Sequence, residues 1–129
     1  TVYCLISDGE LNIGSTWESA LIAAHHNLDN LVLLVDRNGL QAMGATKSIL
    51  NTEPVEQKFR AFGFHVETVD GHDIQTIDAR LTIPSTGNPR VLIADTIKGK
   101  GVSFMEGDNL WHYSHVNETI LNEALKQLQ

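Results

Sequence analysis

The sequence predicts an α/β fold in which a parallel sheet carries crossover helices on both faces. Four short apolar runs, rich in β-branched residues, predict strands. Segments with apolar residues at helical spacing lie between these runs and predict helices. This alternation of strand and helix is typical of a parallel sheet with crossover connections. A length of 129 residues is enough for one domain with a hydrophobic core.

The first half of the chain supplies two of these strands and two of the helices. In chain order the predicted elements are a strand over 2–6, a helix over 15–28, a strand over 30–36 and a helix over 54–62. We expect the first strand, with Cys4 in its centre, to be buried. Ser15 followed by Glu18 has the form of a capping box, which places the start of the first helix near the loop that follows the first strand.

The second half continues the same alternation. Its predicted elements are a strand over 63–70, a helix over 73–81, a strand over 90–97 and a helix over 117–129. The segment "DGHD" at residues 70–73 could hold a metal ion, but a turn that enters a helix is the favoured interpretation. A Lys- and Gly-rich tract, "KGKG", ends the last strand.

Composition and charge exclude several classes of protein. The formal net charge is -7 and no run of Lys or Arg occurs, so we expect no nucleic-acid partner. No apolar window is long enough to span a bilayer, so we expect no membrane association. A single cysteine excludes an internal disulfide and fits a reducing, cytoplasmic setting. Because Thr1 stands directly before a strand, we expect the chain to be part of a longer or processed protein.

Polar residues follow three of the predicted strands at the same edge of the sheet. Asp8 and Asn38 each come after an apolar run and are 38 − 8 = 30 residues apart, the length of one strand–helix–strand unit. Their carboxylate and amide oxygens suit Mg²⁺ or Ca²⁺, with phosphate oxygens as further ligands. Gly9 would let a phosphate approach backbone N–H groups. Asp-Gly and Asn-Gly are also common turn formers, so both interpretations stay open on pattern alone.

Two longer stretches resemble the thiamine-diphosphate-binding domain of the transketolase family. They are "SDGELNIGSTWESALIAAHHNLDNLVLLVDRNGLQAMG", which starts at Ser7, and "DTIKGKGVSFMEGDNLWH", which ends at His112. The resemblance implies a site for thiamine diphosphate and Mg²⁺ (or Ca²⁺). Its implied metal ligands are the Asp8 carboxylate, the Asn38 side-chain oxygen and the Leu40 carbonyl. Its implied cofactor-binding residues are Gly9, Asn38, Lys98 and His112, with His112 also implied as a catalytic residue.

The same resemblance implies a function and a partner. Transketolases transfer a two-carbon ketol unit between sugar phosphates, with the cofactor as electron sink. The chain is similar to the N-terminal subunit of a split transketolase, and residues 1–129 would be the C-terminal portion of its diphosphate-binding domain. The pyrimidine-binding half would come from a separate subunit or a missing domain. We therefore expect a homo- or hetero-oligomer, and no activity from this chain alone.

Three residues depart from the pattern of the family and support alternatives. Ser7 replaces the first Gly of a Gly-Asp-Gly triplet, Ile13 stands where relatives commonly carry Glu, and Tyr113 replaces a Gly after Trp-His. One alternative is a related enzyme that acts on an unusual or sulfonated sugar. Another is a non-catalytic subunit that stabilises an enzyme. A nucleotide-binding domain has less support, because no Gly-rich phosphate fingerprint follows a strand.

Overall fold

The structure, a computed structural model, describes residues 1–84 and 87–129. Its strands are β1 (Val2–Ser7), β2 (Leu31–Arg37), β3 (Leu40–Gln41), β4 (Gly44–Ala45), β5 (His65–Asp70) and β6 (Arg90–Asp95). Its α-helices are α1 (Gly14–His25), α2 (Thr46–Ile49), α3 (Val55–Phe62), α4 (Ile74–Leu81) and α5 (Glu118–Gln127). Two 3₁₀ turns, Glu10–Asn12 and Asn109–His112, lie in the loops after β1 and β6.

Four strands form one parallel sheet in the order β1-β2-β6-β5. The register pairs Ser7 with Asp36, and Arg37 and Asp70 both with Asp95. The carboxyl ends of all four strands therefore lie along one edge of the sheet. The predicted parallel sheet with flanking helices is confirmed. The remaining two strands, β3 and β4, form a small antiparallel hairpin directly after β2.

The hydrophobic core lies between one face of the sheet and the helices α1 and α3. Each of these elements contributes fully or largely buried apolar side chains. Phe59 of α3 is completely buried, and its ring packs against Trp17 and Phe64 with centroid distances of 5.1 and 5.4 Å. Such tilted aromatic contacts are favourable beyond the apolar area that they bury. The core thus holds α1 and α3 against the strands whose ends carry the polar residues.

The expectation that the first strand is buried is wrong. Only Ile6 of β1 is buried, while Leu5 is 70% exposed and Cys4 is exposed as well. The reason is position, because among the described residues β1 is the outermost strand of the sheet and pairs with β2 alone. The apolar run in the sequence therefore predicted the strand correctly but not the exposure of its side chains.

The predicted capping box is also wrong. Helix α1 begins at Gly14, its N-cap is Ile13, and no side chain caps it. The preceding 3₁₀ turn makes the contacts instead: Thr16 Oγ1 donates to the Glu10 carbonyl at 2.8 Å and Trp17 Nε1 to the Leu11 carbonyl at 2.9 Å. These two bonds fix α1 to the loop that carries Asp8.

The other predicted helices and strands occur with shifts of a few residues at their ends. Asp73 caps α4, since its Oδ1 accepts from Thr76 N at 3.0 Å, so "DGHD" is the turn that the sequence favours. Asn117 caps α5 in the same way through Ile120 N, at 2.9 Å. Among the described residues, no helix has the length and apolar character needed to cross a membrane.

Candidate functional site

The carboxyl ends of β1, β2 and β6 carry the candidate site. Asp8 directly follows β1, Asn38 directly follows β2, and Lys98 lies three residues after β6. The parallel register brings these strand ends side by side. Ligands of open parallel sheets bind at this edge, beyond the strand ends.

Asp8 joins the ends of the two neighbouring strands. Its side chain is only 3% exposed, and its Oδ2 accepts hydrogen bonds from Asn38 N at 2.8 Å and Gly39 N at 2.7 Å. Both bonds use the same oxygen, which leaves Oδ1 for another ligand. Among the ion pairs of the described residues, none includes Asp8. Within the part of the chain that the structure describes, this buried carboxylate therefore has no direct ion-pair partner.

Burial raises the pKa of Asp8 above its usual value. The hydrogen bonds from the backbone of Gly39 and Asn38 act in the opposite direction, but they do not outweigh the loss of hydration. The nearby carboxylate of Asp36 raises the pKa further, while the charge of Arg37 lowers it. A cation bound beside Asp8 would relieve this electrostatic cost.

Asn38 shapes the turn between β2 and the β3–β4 hairpin. Its Oδ1 accepts from Leu40 N at 2.9 Å, an Asx turn. Thr46 N, at the end of the hairpin, donates to the Gly39 carbonyl at 2.9 Å. A side-chain amide oxygen has two lone pairs, so Asn38 Oδ1 can accept this bond and still ligate a cation.

A cleft of about 460 Å³ opens at these strand ends; we call it the edge cleft. It is lined by Ser7, Gly9, Glu10, Asp36, Asn38, Leu40, Gln41, Ala42, Lys98 and His112. Five of the six predicted site residues thus line one cleft. The sixth, Asp8, lies directly behind it, held to Asn38 and Gly39.

The loop after β6 brings Lys98 to the edge cleft through a close backbone approach. Gly99 has a φ of 73°, and a Cβ there would lie 2.6 Å from the Met105 carbonyl oxygen. Gly107 N donates to the Lys98 carbonyl at 2.9 Å. Only glycine fits at position 99, because both the conformation and the space exclude a side chain.

A hydrogen-bonded 3₁₀ turn positions His112 in the lining of the cleft. The Asp108 side chain caps this 3₁₀ turn, and Trp111 Nε1 donates to the Phe104 carbonyl at 2.8 Å. Asn109 Nδ2 donates to the Ala42 carbonyl at 2.9 Å, which joins the turn to the hairpin side of the cleft. The His112 ring meets the ring of Tyr113 edge-on, with 4.8 Å between centroids.

The similarity of the chain to known proteins identifies the family to which it belongs. The family model described as "Transketolase, thiamine diphosphate binding domain" matches residues 1–128. The chain belongs to the transketolase family. It is similar in structure to the transketolase of Campylobacter jejuni, with a TM-score of 0.90 and 33% identity over 98% of this chain and 20% of that one.

Curated members of the transketolase family give the same result. The chain is 44% identical to a subunit of the apulose-4-phosphate transketolase of Actinobacillus succinogenes, over 99% of this chain and 47% of that protein. It is 38% identical to a subunit of the 6-deoxy-6-sulfo-D-fructose transketolase of a Clostridium species, over 100% of this chain and 48% of that protein. The chain spans about half the length of these relatives.

In this transketolase domain the residues at the edge cleft fit a diphosphate held by a divalent metal. The available oxygens are hard ligands of the kind that Mg²⁺ prefers, namely a carboxylate, a side-chain amide and backbone carbonyls. The described residues hold no cluster of three or more His, Cys, Asp or Glu side chains suited to a metal. Metal binding there would need phosphate or water oxygens to complete the shell, as a diphosphate cofactor provides.

Four lining residues of the edge cleft escaped the sequence prediction, namely Glu10, Asp36, Gln41 and Ala42. Asp36 lines it, and its Oδ1 accepts a short hydrogen bond from Thr96 Oγ1 that joins the ends of β2 and β6. Its position two residues before Asn38 was the available signal, because alternate residues of a strand share a face. Gln41 also lines the cleft, and no pattern in the sequence marked it.

The departures from the family pattern have different structural settings. Ser7 N and Oγ donate to Glu10 Oε2 at 2.9 and 3.4 Å, so the Ser7 side chain is used within its own loop. Ile13 is half exposed on the surface before α1. Tyr113 is 75% exposed next to His112. Of the three, only Tyr113 both contacts a predicted site residue and presents a free aromatic surface.

Proposed function

We propose that this chain supplies the diphosphate- and metal-binding side of a transketolase active site. The observation that carries the proposal is the buried Asp8, hydrogen-bonded to Asn38 N and Gly39 N behind a cleft at the strand ends. Family membership supports thiamine diphosphate as the cofactor, and the cleft at the strand ends supports this edge as the site of its diphosphate. Asp8, the Asn38 side chain and the Leu40 carbonyl would hold Mg²⁺, with Ca²⁺ a chemically similar substitute.

The cofactor-binding residues have distinct proposed roles. The backbone of Gly9 would donate to phosphate oxygens, and Lys98 would neutralise phosphate charge across the cleft. His112 would exchange a proton with an oxygen of the substrate or hold a phosphate, as an imidazole can donate and accept near neutral pH. Thiamine diphosphate, when bound, supplies the carbon nucleophile and electron sink for transfer of a two-carbon ketol unit.

The proposed assembly needs a second polypeptide or domain. The relatives from Actinobacillus succinogenes and the Clostridium species are each named as one subunit of a transketolase, which indicates enzymes with at least one further subunit. The pyrimidine-binding half would come from such a partner, and the chain would act in a homo- or hetero-oligomer in the cytoplasm. The net charge of -7 gives no support for a nucleic-acid partner.

An unusual sugar phosphate is the second candidate substrate, and Tyr113 favours it. Two relatives are named for apulose 4-phosphate and for 6-deoxy-6-sulfo-D-fructose. Tyr113 adds an exposed ring beside His112, where an aromatic side chain would narrow the approach to the cleft. We therefore propose that Tyr113 contributes to the choice between ordinary sugars and unusual or sulfonated ones.

Two-carbon transfer by the enzyme assembled with its partner tests the proposed function. A panel of ordinary, unusual and sulfonated ketose donors is offered with aldose phosphate acceptors, in the presence of thiamine diphosphate and Mg²⁺. We expect transfer from at least one donor. If the assembled enzyme binds no cofactor and transfers no ketol unit, a non-catalytic stabilising subunit becomes the better account.

The substitution Tyr113→Gly tests the role of the exposed ring. We expect the ratio of kcat/KM between an unusual and an ordinary donor to change by about tenfold, the scale of one lost pocket contact. Tyr113→Phe keeps the ring and serves as the matched control. An unchanged ratio in Tyr113→Gly would remove Tyr113 from the account of specificity and leave the site itself untouched.

A further inference from the structure

Arg37, the last residue of β2, makes a dense set of ion pairs. Its Nε lies 2.5 Å from Asp95 Oδ1 and its Nη2 lies 3.0 Å from Asp95 Oδ2, a bidentate pair. Its Nη1 donates to Glu56 Oε1 at 2.6 Å and lies 3.7 Å from Glu53 Oε1. The Arg37 side chain is only 17% exposed, so water screens these contacts incompletely. A planar guanidinium is the group that can bridge carboxylates in this way.

These contacts join three elements at the edge that carries the candidate site. Asp95 ends β6 and Glu56 lies in the first turn of α3. Glu56 Oε1 also accepts from Thr68 Oγ1 of β5 at 3.4 Å. The backbone joins the same strands, because Thr96 N donates to the Arg37 carbonyl at 3.1 Å. Arg37 therefore fastens the carboxyl end of β2 to β6 and α3.

The position of Arg37 in the chain connects this cluster to the edge cleft. Arg37 directly precedes Asn38, and its partner Asp95 lies three residues before Lys98. The separation between the Asn38 turn and the Lys98 loop therefore depends on how β2 and β6 are held together at their ends. The Arg37 side chain itself does not line the cleft.

The cluster is unbalanced in charge, which makes Arg37 hard to replace. One guanidinium faces three carboxylates, those of Glu53, Glu56 and Asp95. Without Arg37, like charges would face one another between the ends of two strands and a helix. Their repulsion would separate the elements that must stay in register.

We propose that Arg37 is a positioning residue of the cofactor site, which holds the Asn38 turn and the Lys98 loop at the separation that a metal-bound diphosphate requires. This inference rests on the function proposed above for the edge cleft. Arg37 touches neither the metal nor the cofactor in this account. It acts through the strand ends that carry their ligands.

Three variants of the assembled enzyme separate positioning from general stability. Arg37→Met removes the charge and the guanidinium N–H donors, while Arg37→Lys keeps the charge but cannot pair bidentately with Asp95. Arg90→Met is the matched control, because Arg90 is a buried arginine at the opposite end of β6 that donates to the carbonyls of Arg80 and Leu81 at 3.0 and 3.4 Å. Arg90→Met should lower stability without disturbing the edge cleft.

Two measurements are made on each variant, at a temperature where all of the variants remain folded. Calorimetry gives the affinity for thiamine diphosphate with Mg²⁺. Hydrogen exchange in the cofactor-free protein gives the protection of the Asn38 and Gly39 amides, which donate to Asp8. We expect Arg37→Met to bind about 10–100-fold more weakly, as supporting residues of metal sites do when replaced, and to lose amide protection. We expect an intermediate effect for Arg37→Lys and neither effect for Arg90→Met.

The outcomes separate failure of this inference from failure of the proposed function. If the unaltered enzyme binds thiamine diphosphate and Arg37→Met binds it equally well, the inference is overturned while the proposed function stands. Equal losses of affinity in Arg37→Met and Arg90→Met would also overturn it, since the effect would then be general destabilisation. If the unaltered enzyme binds no cofactor, the proposed function fails, and the exchange measurement alone decides whether Arg37 holds the Asn38 turn.

Discussion

At the scale of single residues, the burial of Asp8 opposes folding, while its carboxylate is the proposed metal ligand. Burial raises its pKa above the usual value of 3.8, so the folded chain binds a proton in a pH range where the unfolded chain has already released it. Stability contributed by this group therefore falls as the pH rises above 3.8. At neutral pH the burial of this carboxyl group therefore opposes folding as long as no cation is bound beside it.

The substitution Asp8→Asn should therefore stabilise the metal-free protein at neutral pH. Asparagine keeps an oxygen that can accept from Asn38 N and Gly39 N but buries no charge. Thermal unfolding at several pH values measures the effect, and the gain should vanish as the pH falls to 3.8 and below. Asp78→Asn, an exposed change in α4, is the control for removing one negative charge. A destabilised Asp8→Asn protein at neutral pH would contradict this account.

Gly9 offers a test in which binding and folding separate cleanly. Its φ and ψ are -66° and -35°, ordinary helical values, and an added Cβ would meet nothing closer than Ser7 Oγ at 3.8 Å. Gly9→Ala should leave stability unchanged within about 0.5 kcal/mol or raise it slightly.

The same change should weaken binding if a phosphate approaches the backbone at Gly9. We expect affinity for thiamine diphosphate with Mg²⁺ to fall about tenfold, the scale of one impaired charge-assisted hydrogen bond. Calorimetric titration measures the affinity, with Gly14→Ala as control because a Cβ there meets nothing within 4 Å. Unchanged affinity in Gly9→Ala would place the diphosphate elsewhere in the cleft.

The proximity of site residues was predictable where their spacing in the sequence matches a repeating unit of the fold. Asp8 and Asn38 follow apolar strands at the spacing of one strand–helix–strand unit, and parallel pairing then brings them together. The hydrogen bonds of Asp8 to backbone N–H groups could not be predicted, because they depend on the turn at Asn38. The Ser15 capping box failed for a similar reason, since a 3₁₀ turn moved the start of α1 to Gly14.

At the scale of elements, the loop after β6 depends on one glycine for its shape. Both Gly99 and Gly107 adopt a left-handed backbone conformation. A Cβ at position 99 would lie 2.6 Å from the Met105 carbonyl oxygen, whereas a Cβ at position 107 would meet nothing within 4 Å. We expect Gly107→Ala to cost about 1–2 kcal/mol of stability and Gly99→Ala clearly more.

The loop variants should also differ in binding. Gly99→Ala is expected to displace Lys98 and weaken cofactor binding, while Gly107→Ala should retain most of it. Chemical denaturation and titration of the two proteins side by side provide the measurement. Equal effects in both variants would mean that conformation alone, and not the approach to Met105, shapes the loop.

The long elements were predictable and the short ones were not. Apolar periodicity identified all the strands of the main sheet and the helices α1, α3, α4 and α5. Helix α2 and the strands β3 and β4 span two to four residues each, which is too short for a period to emerge. Leu40 and Gln41 of β3, with Ala42 after them, line the edge cleft, so the shape of that wall was also missing from the prediction.

At the scale of the whole molecule, the sequence predicted the parallel sheet but not the exposure of its edge. Strand order depends on contacts far apart in the chain, and β6 lies between β2 and β5 although it follows both. Except for Ile6, the apolar residues of β1 are consequently exposed at the border of the sheet. The chain spans about half the length of the curated transketolase relatives, so the whole enzyme is the proper object for functional tests.

Asp8 and Asn38 are proposed to hold a metal-bound diphosphate at the strand ends. The decisive measurement is calorimetric titration of thiamine diphosphate into the assembled enzyme, with and without Mg²⁺. We expect binding that requires Mg²⁺ and weakens at least about 100-fold in Asp8→Asn and in Asn38→Ala, since even supporting residues of metal sites are worth 10–100-fold. Binding that is independent of Mg²⁺, or as tight in both variants as in the unaltered enzyme, would contradict this proposal.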